Sequence, residues 1–287
     1  MKCELKHTTI HYEIHGNGKP VLLLHGFSCD HHLMTGCMEP VFTSQSGWKR
    51  VYPDLPGMGD STVTDGIQST DDMLEALDEF VGKILGDEPF ILAGESYGGY
   101  LSRGLLKKRQ HQIEGLLLIC PTAGQAKHDA PAFQLIARDE EFMSQLNHPD
   151  TGEFSGMHTV QDEYNWSRFE REIVTGLKKA NRPFLERLRQ RYDFSPEMEQ
   201  LDTPYVKPAL ILAGRQDHIV GYRNQWAFAN EYPRASFVML DRAGHNLQIE
   251  QSRLFHVLVE EWLDRVTEEQ EAKHSQAQKS VTRLRSI

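Results

Sequence analysis

The segment Ile91-Leu92-Ala93-Gly94-Glu95-Ser96-Tyr97-Gly98-Gly99-Tyr100 sets a serine between two glycines, directly after an apolar run. Residues 90–93 suit a buried strand and residues 100–108 a helix, so Ser96 falls in a strand-to-helix turn. Such a turn holds its serine in a strained backbone conformation that pushes the hydroxyl out of the sheet. Small residues two positions to either side let strand and helix approach closely. Gly94 and Gly98 stand at those positions. The chemistry this suits is nucleophilic attack on a carbonyl carbon. From this chain's Gly and Ser usage, a bare Gly-x-Ser-x-Gly arises by chance in about one such sequence in ten, so the motif needs partners elsewhere.

A serine hydroxyl is a weak nucleophile at neutral pH and needs a base, usually His, whose tautomer is set by a carboxylate. In an open parallel sheet reactive groups gather at the carboxyl ends of the strands, which restricts the search to loops that follow predicted strands. Asp217, in Gly214-Arg215-Gln216-Asp217-His218, lies just past the apolar run 209–213 and suits the orienting acid; the competing reading is a turn or helix-capping aspartate. The loop after the run 115–120, Pro121-Thr122-Ala123-Gly124, offers no carboxylate. Asp241 follows a strand but precedes the candidate His by only four residues in the same loop, and reads as structural. His245, in Asp241-Arg242-Ala243-Gly244-His245, follows the last predicted strand and is the best general base among fourteen histidines. Ser96, Asp217 and His245 occur in that chain order.

A tetrahedral intermediate also needs donors for its oxyanion, commonly two backbone N–H groups. Tyr97, next after the serine, supplies one. The loop after residues 21–24, His25-Gly26-Phe27, offers the amide of Phe27, with Ser28 as the lesser alternative.

These loops need strands to hold them. Residues 3–15 read as two strands, 16–20 as a turn and 21–24 as a buried strand. A helix over 32–43 leads to a strand at 50–52, and the loop 53–61, with two prolines and two glycines, excludes regular structure. Leu74, Leu77, Phe80, Val81 and Ile84 recur at helical spacing before the strand that carries Ser96. Residues 115–120 form another apolar run. Strands that are continuously apolar and alternate with helices imply a mostly parallel sheet covered on both faces. From 121 to 205 the rhythm breaks into helical, aromatic and charged segments, a helical insertion. It resumes with a strand at 209–213, a helix at 224–231, a strand at 236–240 and an amphipathic helix carrying Leu254, Phe255, Leu258, Trp262 and Leu263. The expected organisation is a core of residues 1–120 and 206–266, an insert of 121–205, and a polar extension of 267–287, either a continued helix or a frayed tail.

Composition narrows the function classes. The 287 residues, 39% hydrophobic and 25% charged, suit one large α/β domain with an insertion. No apolar run approaches the roughly 20 residues a membrane helix needs. The first residues alternate like a half-buried strand and lack a signal peptide's apolar stretch, so a cytoplasmic location is expected. A formal net charge of −10 disfavours nucleic acid and anionic membranes. The basic stretches 107–109 and 178–191 are interspersed with acids and apolar residues and read as solvated helix faces. Cys3, Cys29, Cys37 and Cys120 form no Cys-x-x-Cys pair and are expected to be buried free thiols. His31-His32 has no partner at metal-ligand spacing and is expected to be exposed; no metal site is expected. Glu95 reads as a packed elbow residue or as a group that tunes His245 or meets a substrate amine. The acids Asp139-Glu140-Glu141 and Asp162-Glu163 read as helix faces. Phe133, Phe142, Tyr164, Trp166 and Phe169 line an acyl pocket or pack the insert.

Taken together, His25-Gly26-Phe27, Asp54-Leu55-Pro56-Gly57-Met58-Gly59-Asp60-Ser61, Gly94-Glu95-Ser96-Tyr97-Gly98-Gly99, Gly214-Arg215-Gln216-Asp217 and Gly244-His245 resemble the motif set of the α/β-hydrolase superfamily. The layout looks like its capped branch of esterases, proline iminopeptidases and meta-cleavage-product hydrolases, with the cap after the sixth strand. The resemblance implies an eight-stranded, mostly parallel sheet and acyl-enzyme chemistry on a small-molecule substrate without a cofactor. Ser96 departs from the Asp nucleophile of haloalkane dehalogenases and epoxide hydrolases. The segment His25-Gly26-Phe27-Ser28-Cys29 departs from the His-Gly-Gly-Pro-Gly type of the iminopeptidases and many carbon–carbon hydrolases. The resulting expectation is hydrolysis of a small or medium carboxylic ester. An aminopeptidase or amidase and a carbon–carbon bond hydrolase are the alternatives, and a non-catalytic binding module is the remote one.

Overall fold

The computed structural model describes residues 1–124, 129–198 and 200–284. Residues 125–128, 199 and 285–287, within the expected insert and tail, lie outside the described residues. Strands β1 (Lys2–Glu4), β2 (Thr9–His15) and β3 (Lys19–Leu24) come first, followed by α1 (His31–Phe42), β4 (Trp48–Pro53) and α2 (Thr70–Ile84). Then come β5 (Phe90–Glu95), α3 (Tyr97–Arg109) and β6 (Ile113–Ile119). The insert holds β7 (Ala137–Arg138), α4 (Glu140–Gln145), α5 (Thr151–Met157), β8 (Val160–Gln161), α6 (Glu163–Phe169), a π-helical turn (Glu170–Val174), α7 (Thr175–Lys179) and α8 (Arg182–Arg189). The chain closes with β9 (Ala209–Gly214), α9 (Arg223–Phe228), β10 (Ala235–Leu240), α10 (Leu247–Glu250) and the long α11 (Ser252–Leu284).

Eight strands form one sheet in the order β1-β2-β4-β3-β5-β6-β9-β10. The β1/β2 and β2/β4 pairs are antiparallel; from β4 to β10 every neighbour is parallel. The carboxyl ends of β3, β5, β6, β9 and β10 therefore share one edge, and each of the loops searched in the sequence emerges there.

Continuous apolar strands follow from burial on both faces. Leu22, Leu24, Leu92, Leu116 and Leu118 join one core with Leu74, Leu77 and Phe80 of α2 and Leu101 and Leu105 of α3. Their neighbours Leu23, Ile91, Ala93, Leu117 and Ile119 join a second core with Leu33, Met34 and Cys37 of α1 and Phe255, Val259 and Trp262 of α11. Helix α2 starts on a capping box: the Ser69 side chain accepts from Asp72 N–H, and the Asp72 carboxylate accepts from Ser69 N–H.

Several expectations shift by a few residues. Strand β3 starts at Lys19, inside the expected turn, because Lys19 N–H donates to Gly47 O. Helix α3 starts at Tyr97 and takes in the Gly98-Gly99 pair. All four cysteines are buried and free. Helix α11 continues the polar extension as helix to Leu284. Among the described residues no helix is long and apolar enough to cross a membrane.

Candidate active site

Strand β5 is buried throughout between β3 and β6, and the chain must turn sharply at its end to enter α3. Ser96 makes the turn with φ 50° and ψ −112°, a conformation that costs an L-residue about 1–3 kcal/mol and persists only where the surroundings impose it. They do so here: Ser96 N–H donates to Ile119 O at 2.9 Å, and Ser96 O accepts from Tyr100 N–H at 3.0 Å. The flanking glycines are needed for close approach. A Cβ on Gly98 would run into the carbonyl oxygens of Leu24 and His25, and one on Gly94 into the Gly98 carbonyl and the Ser102 hydroxyl.

The structure brings Ser96, Asp217 and His245 together. His245 Nε2 lies 2.9 Å from Ser96 Oγ, and Nδ1 lies 3.0 Å from Asp217 Oδ2. With Nδ1–H donating to the carboxylate, the neutral ring turns the lone pair of Nε2 to the serine hydroxyl. Asp217 is fully buried, and its other oxygen accepts from Ile219 N–H at 2.9 Å and Val220 N–H at 3.0 Å. Burial works against its charge, but His245 and the two amides outweigh it and hold the carboxyl below its ordinary range. Burial likewise opposes the imidazolium of His245. The Asp217 carboxylate, helped by Glu95 and Glu250, overrides this and raises His245 to about 9.

Glu95 is 2% exposed, and its Oε1 lies 3.6 Å from His245 Nε2. Burial, reinforced by Asp217 and opposed by His245, pushes its carboxyl up to about 7. A Cβ on Gly26 would collide with the same carboxylate, so the loop after β3 rests on Glu95. That loop is pinned by His25, whose Nε2 accepts from Leu55 N–H at 2.9 Å. The rings of Phe27 and Tyr97 meet edge to face with centroids 5.3 Å apart. The Tyr97 hydroxyl is 3.0 Å from Thr70 Oγ1, which donates to Tyr192 O of the insert. Among the described residues neither the Phe27 nor the Tyr97 amide has an acceptor within the chain.

A cavity of about 300 Å³ opens over Ser96 and His245. Gly26, Phe27 and Glu95 line its base, Phe169, Ile173 and Leu177 of the insert form an apolar wall, and Glu153, Arg189 and Tyr192 also face it. Of the aromatic residues singled out in the insert, only Phe169 lines this space. Trp166 is packed beside it at 7% exposure, while Phe133 and Tyr164 are 41% and 53% exposed. The acids Asp139 and Asp162 cap α4 and α6. Glu153 and Arg189, two charged groups at the cavity, carried no signal in the sequence beyond membership of polar helix faces. The guanidinium of Arg189 lies 5.1 Å from the centroid of the Phe27 ring.

The expectation of an exposed His31-His32 pair fails at His31, which is 4% exposed. Its Nδ1 lies 2.8 Å from Asp54 Oδ1, and His11 Nδ1 lies 3.1 Å from Asp54 Oδ2. The pull of Asp54 comes from a loop 23 residues away in sequence, which local pattern does not show. These three side chains could gather around a cation, but the two imidazoles, with the amides of His31 and Asp60, already hydrogen-bond the carboxylate.

Comparison with known proteins agrees with this architecture. A pimeloyl-(acyl-carrier protein) methyl ester esterase of Legionella pneumophila (strain Paris) is 22% identical over 258 residues, covering 88% of this chain and 99% of that protein. A monoacylglycerol lipase of Mus musculus is 23% identical over 267 residues, covering 86% of this chain and 76% of that protein. The solved structure of an alpha/beta superfamily hydrolase from Oenococcus oeni PSU-1 superposes with a TM-score of 0.84 at 29% identity, covering 93% of this chain and 99% of the other. The family model described as alpha/beta hydrolase fold matches residues 19–252, and this chain, with its eight-stranded mixed sheet and its helical insert after β6, belongs to the α/β hydrolase fold family.

Proposed function

We propose that the protein is a serine hydrolase that cleaves small or medium carboxylic esters through an acyl-enzyme intermediate. The observation that carries this reading is the line of hydrogen bonds from Ser96 Oγ through His245 to Asp217, at 2.9 and 3.0 Å, on a strained elbow that opens into the cavity. In this reading Ser96 Oγ attacks the ester carbonyl as Nε2 of His245 takes its proton, and Asp217 holds the ring and stabilises the imidazolium. The carbonyl oxygen becomes an oxyanion that receives hydrogen bonds from the amides of Phe27 and Tyr97. Collapse expels the alcohol, protonated by His245, and leaves an ester on Ser96. Water, deprotonated by His245, then repeats the sequence and releases the acid.

The substrate reading rests on the walls. Phe169, Ile173, Leu177 and Val220 offer apolar surface for an acyl or alcohol chain, and a cavity of about 300 Å³ is at the small end for ligand sites. Residues 121–205 act as a cap on a core of 1–120 and 206–266. The relatives named above are a methyl ester esterase and a monoacylglycerol lipase, both ester hydrolases by name. Glu153 could meet an amine and Arg189 a carboxylate, so aminoacyl amides and dienoic acids belong in the substrate panel beside neutral esters.

Ser96→Ala is expected to abolish p-nitrophenyl ester hydrolysis and fluorophosphonate labelling while the circular dichroism spectrum stays that of the parent. Undiminished turnover in that variant removes Ser96 as nucleophile; a folded parent that neither labels nor hydrolyses any member of the panel favours a binding module.

A further inference from the structure

We infer that Glu250 is a positioning residue that joins the insert to the loop carrying His245, so that one carboxylate sets both the seating of the cap and the alignment of the base. This rests on the reading of His245 as general base.

The Glu250 side chain is fully buried. Its Oε2 accepts from Gly244 N–H at 2.5 Å, one residue before His245. Its Oε1 accepts from Thr159 N–H at 2.6 Å, Thr159 Oγ1–H at 3.0 Å and Val160 N–H at 3.1 Å, all in the insert at the start of β8. No cation neutralises it among the described residues: the basic side chain beside it is His158, whose Nδ1 is 3.9 Å away, and burial lowers that imidazole to about 3, keeping it neutral. Burial raises the Glu250 carboxyl above its ordinary range, opposed by the donors of Gly244, Val160 and Thr159, which favour the anion; four donors converging on both oxygens is the pattern of a carboxylate.

Two further observations connect this group to the site. His158 Nε2 lies 3.1 Å from the side-chain amide nitrogen of Asn246, the residue after His245, and Asn246 lines the cavity. Glu153 and Met157, on α5 immediately before His158, line the cavity as well. His245 is thus held at two points, its ring by Asp217 and its backbone by Glu250, and the second hold is shared with one wall of the cavity. The titratable groups around His245 are Asp217 and His218 after β9, Glu95 at the end of β5, Cys120 after β6 and Glu250 on α10.

The test is Glu250→Gln, which keeps the volume but turns an amide NH2 toward either Gly244 N–H or the Thr159 and Val160 donors. With a neutral p-nitrophenyl ester, kcat/KM should fall about tenfold or more, chiefly in kcat, in protein that still melts cooperatively. The acidic limb of the pH profile should move to lower pH, because a negative charge that favours the imidazolium is gone. Should that variant fail to fold, Thr159→Val removes one donor from the insert side while keeping a methyl against Gly244 of the His245 loop, and kcat should fall about threefold. A folded Glu250→Gln enzyme with parental kcat/KM and an unmoved limb overturns the inference, as does a loss that only tracks the amount of unfolded protein. If Glu250→Gln does not fold, parental kcat in Thr159→Val overturns it. Failure of the underlying reading would show separately, as turnover retained in His245→Ala.

Discussion

The contact between Glu95 and His245 leads to a prediction opposite to the usual effect of altering a residue beside a proposed nucleophile. In the proposed mechanism His245 must be neutral to accept the serine proton, so kcat/KM is expected to fall as pH drops through its titration. A carboxylate that favours the imidazolium pushes that acidic limb upward, and removing the charge should bring it down. At 3.6 Å from Nε2, a full negative charge is worth about 1 kcal/mol at the dielectric of water and about 4–5 kcal/mol at an effective dielectric of 20, or about 0.8 to 3.4 pH units. Glu95 is itself pushed up to about 7 by burial, so it carries only part of its charge around neutrality, and the cavity beside it is open to water. The expected displacement is therefore about one unit. The parent should show an acidic limb above the ordinary His value and broadened, because two coupled groups share it. Glu95→Gln should show a single, steeper limb at lower pH and should be the more active enzyme on the acidic side. The assay is kcat/KM for a neutral p-nitrophenyl ester from pH 5 to 9, with folding checked at each pH. A limb that stays in place, or moves upward, refutes the electrostatic argument.

Two further predictions concern stability. Arg168 and Glu172 form a buried, two-pronged ion pair, with Nε to Oε1 at 2.6 Å and Nη2 to Oε2 at 2.7 Å. Arg168→Met leaves the buried carboxylate with only the exposed Arg171, at 3.2 Å, as a cationic partner, so the loss in urea unfolding should be at the low end of the usual range or below it, about 2–3 kcal/mol, while Arg168→Met with Glu172→Met costs less; a double variant no more stable than the single one contradicts this. Gly98→Ala places a methyl against the carbonyls of Leu24 and His25 and should lower stability by about 1–3 kcal/mol and cut ester turnover; a parental melting temperature speaks against the tight elbow.

The strands and the loops after them were legible because their signal is local. A strand buried on both faces must be apolar residue after residue, and the runs 21–24 of β3, 90–93 of β5, 115–119 of β6 and 209–213 of β9 are so. The start of α3 was not legible, since Gly98-Gly99 opposes helix by propensity, whereas the crowding of the elbow against β3 admits nothing larger than glycine at 98. The burial of His31 depends on Asp54, and the place of Arg189 at the cavity depends on how α8 lies over Phe27. Helical periodicity shows which side of α8 is apolar, with Phe184, Leu185 and Leu188 buried, but leaves open what the adjacent residue faces. The five-residue π turn Glu170–Val174 has no local signature either, and it lies between Phe169 and Leu177, inside the wall that meets the substrate in the proposed reading.

Backbone strain among the described residues points to the same edge of the sheet. Outside glycine, positive φ occurs at Ser28, Ser96 and Cys120, with values of 64°, 50° and 40°, just beyond the carboxyl ends of β3, β5 and β6. Each conformation is unfavourable alone and has to be imposed by packing. Contacts link the three segments: the Glu95 carboxylate packs on Gly26 of the loop that carries Ser28, Ser96 N–H donates to Ile119 O, Thr122 N–H donates to Ser96 O at 3.3 Å, and Cys120 Sγ lies 3.6 Å from Gly244 O in the loop of His245. A substitution that relaxes any one of these turns should therefore be felt at the others, and the strain at Ser96 belongs to the joint geometry of three loops rather than to the Gly-x-Ser-x-Gly pentapeptide. This explains why the pentapeptide is weak evidence in a bare sequence. The pattern supplies residues able to adopt the elbow, whereas the sheet edge, with its parallel neighbours and the loops that cross it, forces them to.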